Sequence, residues 1–331
     1  MESIGRTQTS ASGSGVPRVE RGQAWRQAVG VPLLLVPTLL ASAHVELGRN
    51  AELQDLVLHV QTLAMSLPLH ENARVDRWIE HFRTDQRAAF ERLLERQGAY
   101  DDIIRGKLRD RGMPEELLYL AMMESGLLPR AESSASAVGL WQFMTPTAQQ
   151  YGLRVDEWVD ERRDPVRATN AALDYLSYLH DRYGSWYLAA AAYNAGPGTV
   201  DRVLARHANG RSGDEDLYWE VLDHLPRETR DYVPRLVAAA LLAEDARGEG
   251  FDIQSERPYR YDRVFVPGGT SLTTVAWRLN MKPWVLRNLN PHLIQGVTPP
   301  DETYPIRVPV GLSPAVVASV GRDGRLRRAD D

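Results

Sequence analysis

From Asn72 onward apolar residues recur at helical spacing. Val75, Trp78, Ile79, Phe82, Phe90, Leu93 and Leu94 fall on one face of a helix, which Gly98 is expected to stop. The segment YDDIIRGKLRDRG reads as a second helix closed by Gly112. A third runs from Pro114 to about Ser125, with Pro114 in a first turn that tolerates it and Glu115 and Glu116 at the positive end. After the small-residue loop PRAESSASAVG the pattern predicts short helical pieces and a long helix over 165–183. An alanine-rich helix, WYLAAAAYNAG, and another from near Glu228 to Gly248 follow. Strict alternation is scarce between residues 72 and 250, so this region is expected to be mainly α.

Past Gly250 the character changes. YRYDRVFVP and YPIRVPV are strand-like, and SLTTVAWRLN and PWVLRNLN between them read as short helices, a βααβ unit. The tail from Gly311, with its charged run GRDGRLRRADD, is expected to be disordered.

The start of the chain carries a different pattern. Arg18, Arg21 and Arg26 precede an apolar run from Ala28 to Leu40, and Ala41, Ser42 and Ala43 follow in an A-x-A arrangement. This is the plan of a secretory signal, and two prolines interrupt a run already short for a membrane span. The chain is therefore expected to be exported, periplasmic or envelope-associated, touching membrane only through this segment. An uncleaved anchor or a buried helix is the alternative. The expected organisation is an export segment over 1–43, a linker or accessory helix over 44–71, a helical domain over 72–250, the βααβ module over 258–310, and a tail over 311–331.

Composition narrows the chemistry. A net charge of only −5 argues against a general nucleic-acid binder. There is no cysteine, which removes thiol nucleophiles, disulfides and thiolate metal sites. The histidines are scattered, with no H-E-x-x-H and no phosphate-binding GxxxxGK[ST] loop, so no metal or cofactor is expected. Oligomeric state is left open.

One residue stands out against its surroundings. Glu124 lies in LAMMESGLLP, near the end of an otherwise apolar helix. Burial and the negative helix C-terminus would both disfavour its charge, and a carboxyl kept protonated near neutral pH can donate a proton to a leaving oxygen. The alternative is a glutamate pointing to solvent from a buried helix.

Three stretches of this chain resemble motifs of the family 1 lytic transglycosylases, which cleave peptidoglycan. They are ESGLLPRAESSASAVGLWQFMTPTAQQYGL, AAYNAGPGTV and LPRETRDYVPRLVAAALL, in the family's order between residues 124 and 242. The helix from Asn72 and the wording GLWQFM are most similar to the membrane-bound murein transglycosylase D subgroup. The resemblance implies a lysozyme-like, goose-type-lysozyme-like catalytic fold. It also implies non-hydrolytic cleavage of the β-1,4 bond between N-acetylmuramic acid and N-acetylglucosamine, with peptidoglycan strands as partner. It places Glu124 as sole catalytic acid and base. Ser125, Ser133, Gln142, Met144, Tyr193, Asn194 and Tyr232 match substrate-side positions.

Blander roles stand beside these. Ser125 braces the helix end, Ser133 caps a turn, Trp141 and Met144 are core, and Tyr193 is a core tyrosine with a satisfied hydroxyl. Glu132, Asp156 and Glu157 are near enough in sequence to supply a second acid, which keeps a hydrolytic muramidase open. A catalytically idle peptidoglycan-binding scaffold is the other reading. VPGGTSLTTVAWRLNMKPWVLRNLNPHL and YPIRVPVG resemble a LysM module, but Gly268-Gly269-Thr270-Ser271-Leu272 lacks the aspartate of the usual GDTL, which puts glycan binding by the module in question.

Overall fold

The structure, a computed structural model, describes residues 66–321. The export segment and most of the expected accessory helix lie outside the described residues. Helix α1, Ala73–Arg83, begins where Asn72 Oδ1 accepts from the amides of Arg74 and Val75 at 3.0 and 3.2 Å. The expected single helix then divides. Thr84 Oγ1 donates to Glu80 O at 2.8 Å, the chain turns, and α2 runs Arg87–Asp110 straight through Gly98. Phe82 and Phe90 stack across the turn at 4.6 Å, so the apolar stripe is continuous although the helix is not. Gly98 is there for close approach instead of termination. A Cβ at this position would meet the Glu256 carbonyl at 2.8 Å, where the 251–259 segment crosses α2.

A short 3₁₀ turn, Glu115–Leu117, leads into α3, Leu118–Ser125, whose Leu118, Tyr119, Leu120, Ala121 and Met122 are all buried. It is packed by α2 on one side and by α9, Arg227–Glu244, on another. Between them come α4 (Thr145–Gln150), α5 (Pro165–Tyr183), α6 (Trp186–Ala195), α7 (Pro197–His207) and α8 (Asp216–Val221). The α5 limits follow its local signals, with Asp164 capping one end and Gly184 in the left-handed region at the other. Pro234 sits inside α9 and takes no part as a donor, which frees the Arg230 carbonyl. Tyr218 fills that gap, its hydroxyl lying 3.1 and 3.3 Å from the carbonyls of Thr229 and Arg230.

The C-terminal module pairs β1 (Asp262–Val266) with β2 (Tyr304–Val308) antiparallel, with α10 (Leu272–Arg278) and α11 (Pro283–Leu289) between. The tail is corrected here. Residues from Ser313 to Gly321 form α12, not a disordered extension. Val316 and Val320, one turn apart, bury in the core that contains Val264 and Val308. The charged run that dominates the tail's composition begins only where that helix ends.

The module is fixed to the helical domain. Val159 belongs to the module's core, Asp160 N donates to His292 O at 2.9 Å and Ile294 N to Trp158 O at 3.1 Å. Behind these contacts lies a buried polar knot. Arg307 of β2 donates twice to Asp164, at 2.8 and 2.7 Å, while the same carboxylate caps α5. His292 packs against it at 3.5 Å, and burial holds its pKa down at about 4.

Candidate active site

Glu124 is the penultimate residue of α3. Gly126 ends the helix with φ 62° and its amide returns to Met122 O, a conformation that favours glycine. The carboxyl is half-buried, and Tyr232 of α9 donates to its Oε1 at 2.6 Å. Its pKa is pushed up to about 7. Burial is the main cause, the Tyr232 hydrogen bond and Arg235 pull it down, and Glu228 pushes it further up. Glu124 therefore carries a proton through much of the range below neutrality and releases it near pH 7.

The loop after α3 is a small built structure. Ser125 Oγ donates to Leu140 O at 2.8 Å and accepts from Leu128 N at 3.2 Å, tying the helix end to the 138–143 turn. Ser133 Oγ accepts from Ala137 N at 3.1 Å, so it braces a turn. Gln142, at φ 48°, donates to Gly139 O at 2.9 Å. Gly139 cannot be otherwise: at φ 87°, a Cβ would fall 1.8 Å from Arg162 O. Arg162 itself is buried, paired with Asp160, and donates to the Ser136 and Phe143 carbonyls and to Thr145 Oγ1. Trp141 is wholly buried, its indole donating to Thr169 Oγ1, whereas Met144 is exposed, which corrects its reading as core.

Tyr193 and Asn194 close α6. The Tyr193 hydroxyl donates to Trp141 O at 2.7 Å, and burial and Glu124 together push its pKa well up, so the phenol remains a neutral donor beside the acid. Asn194 is held from both ends, donating to Glu228 Oε1 at 3.1 Å and accepting from Thr229 Oγ1 at 2.8 Å. Glu124, Tyr193, Asn194 and Tyr232 thus converge, linked through α9 and the Trp141 backbone. Ser125, Ser133 and Gln142 shape the adjoining loop with their own hydrogen bonds. Among the described residues no cluster of His, Asp and Glu is placed to hold a metal ion.

Residues 101–214 match the family model of the transglycosylase SLT domain, and residues 260–320 match that of the LysM-like domain of lytic transglycosylase MltD. The chain carries an SLT domain and an MltD-type LysM-like domain. Membrane-bound lytic murein transglycosylase D of Escherichia coli K12 is 38% identical over 149 residues, which are 44% of this chain and 32% of that protein. Soluble lytic murein transglycosylase of the same strain is 30% identical over 42% of this chain and 22% of its own length. The matches thus span about a third or less of these relatives. The 70 kDa soluble lytic transglycosylase of Escherichia coli superposes with a TM-score of 0.38 at 22% identity, covering 54% of this chain and 32% of that one.

Within the SLT match lie Glu124 and all the expected residues except Tyr232, which follows it. Of the acids expected near Glu124, Glu132 pairs with Arg163, Asp156 with Arg154, and Glu157 bonds the Trp158 indole. The carboxylate that does act on Glu124 is Glu228, and the cation is Arg235. Glu228, Tyr232 and Arg235 are spaced by four and seven residues in LPRETRDYVPRL, one face of a helix, a signal the sequence did hold.

Because Tyr232 stabilises the ionised form of Glu124, Tyr232→Phe is expected to raise the carboxyl's pKa above about 7. The alkaline limb of kcat/KM, which reports the free enzyme's acid, should move to higher pH. A limb that stays in place or moves down would show that this hydroxyl does not set the proton affinity.

Proposed function

We propose that this protein cleaves peptidoglycan glycan strands as a lytic transglycosylase, with Glu124 as the single acid and base. The observation that carries the reading is the half-buried Glu124 carboxyl, near-neutral in pKa and fixed by Tyr232 inside an SLT domain. Protonated Glu124 gives its proton to the glycosidic oxygen as the bond to C1 of N-acetylmuramic acid breaks. The sugar's own 2-acetamido oxygen stabilises the positive charge developing at C1, so no second carboxylate is required. Glu124, now ionised, takes the proton of the C6 hydroxyl, and O6 closes on C1. The products are a free N-acetylglucosamine 4-hydroxyl and a 1,6-anhydro ring. No water is consumed, because a hydroxyl tethered beside C1 has a high effective concentration. Tyr193 and the doubly held Asn194 orient the acetamido group. Action at the cell envelope fits this substrate and the export pattern at the start of the chain.

Glu228 favours a second reading. A second carboxylate that raises the pKa of Glu124 supports a reading in which Glu228 activates water, which would make the enzyme a muramidase. Digestion of purified sacculi followed by mass spectrometry separates the two. Anhydro ends, lighter than reducing ends by one water, are expected. Reducing ends would convert the assignment to hydrolysis, and intact sacculi that retain the protein would make it a binding scaffold.

A further inference from the structure

A cleft of about 790 Å³ lies between the SLT domain and the LysM-like module. Tyr100 of α2 and the Leu128–Arg130 stretch wall one side, and Trp284 of α11 and Val310 the other, with Arg260 at the connecting segment. Leu128, Trp284 and Val310 are 45%, 58% and 64% exposed, so large apolar side chains line an open groove. The wall is also cationic: Arg130, Arg257 and Arg260 face it against one lining acid, Glu256. Arg260 meets Asp102 only at 3.4 Å on the open surface, and no carboxylate pairs with Arg130 or Arg257 among the described residues. Arg130 instead donates to the Arg287 carbonyl at 2.7 Å. Partial burial, Arg163 and Arg287 act against its charge and Tyr259 and Tyr100 act for it, a balance that a bound anion would shift in favour of the charge. The groove is near the chemistry, since Leu128 follows Glu124 by four residues, a reach of at most about 14 Å.

We propose that this cleft is a distal subsite for an acidic stretch of the glycan strand, with a sugar face on Trp284 and a carboxylate on Arg130 and Arg260. The proposal rests on the transglycosylase reading above and adds to it a preference for carboxylate-bearing strands. Trp284 offers a rigid apolar platform, and arginine forks match carboxylates in geometry as well as charge. The carboxylate comes either from the lactyl ether of a stripped strand or from a stem peptide.

The test is binding to full-length protein carrying Glu124→Gln, which holds strands without cutting them. The probes are peptide-bearing strands, strands stripped of peptide, and neutral N-acetylglucosamine oligomers of equal length. Acidic strands are expected to bind about tenfold tighter than neutral ones, with the advantage shrinking as salt rises. Adding Arg130→Gln or Arg260→Gln should lose that advantage, and Trp284→Ala should weaken acidic strands about tenfold. Arg260 and Trp284 are exposed, so these two variants keep the fold. Tighter binding of peptide-bearing strands alone assigns the carboxylate to the peptide, tighter binding of stripped strands alone assigns it to the lactyl group, and equal binding of both acidic probes shows that the subsite takes either carboxylate. Equal affinity for neutral and acidic probes, or variants that change nothing, overturns the subsite. If unsubstituted protein releases no fragments while the binding preference persists, the catalytic reading fails and the subsite stands.

Discussion

Glu124→Gln is expected to lower fragment release from sacculi by about 10³-fold or more, the range in which one group acting as both proton donor and acceptor contributes. The substitution is nearly isosteric, and the Tyr232 hydroxyl can still donate to the amide oxygen, so loss of activity should not be loss of fold. Stability provides an independent check. A glutamate carboxyl ordinarily titrates at 4.5 and this one, in the folded protein, at about 7, so the folded state holds its proton more tightly than the unfolded chain. Folding stability therefore falls as pH rises through that window, because ionising Glu124 in its half-buried place is unfavourable. The glutamine variant escapes this cost. It should melt higher than the unsubstituted protein at pH 8, with the difference closing below pH 4.5. Release within tenfold of the original would reassign the acid, with Glu228 the next candidate.

Arg307→Met is expected to destabilise the protein by about 3–5 kcal/mol, the cost of breaking a buried ion pair from one side. Asp164 would be left charged at 2% exposure, its two bonds from Arg307 gone and only the α5 amides and His292 around it. Converting Asp164 to Asn in the same chain should recover part of the loss, since Asn retains a cap for α5 and carries no charge. Denaturant unfolding measures both. A single variant within about 1 kcal/mol of the original would show that the knot is not what fixes the module. The same experiment bears on the cleft, because β2 and α11 must hold still for Trp284 to face Leu128.

Much of the helical layout is legible locally. The limits of α5 are written in Asp164, Pro165 and Gly184, and the βααβ order of the module in its change from helical spacing to alternation. Gly98 misleads because a glycine demanded by a crossing backbone looks the same in sequence as one that ends a helix. The tail misleads because two valines at helical spacing are outweighed by the charges behind them. Helix α8 escapes a reading by pattern, since the polar 207–216 stretch masks a short apolar stripe.

The site divides in the same way. The sequence by itself singled out Glu124 as the candidate acid, its apolar helix, and the three motifs that bring tyrosines and an asparagine into play. Those are properties of residue type and spacing, which local chemistry reads directly. Only the tertiary structure decided which groups meet. Tyr232 reaches Glu124 across 108 residues, Glu228 replaces the three acids nearer in the chain, and Arg307 finds Asp164 across 143. A proton affinity is set by burial and by neighbours within a few ångströms, and no one-dimensional pattern fixes either until the helices have packed.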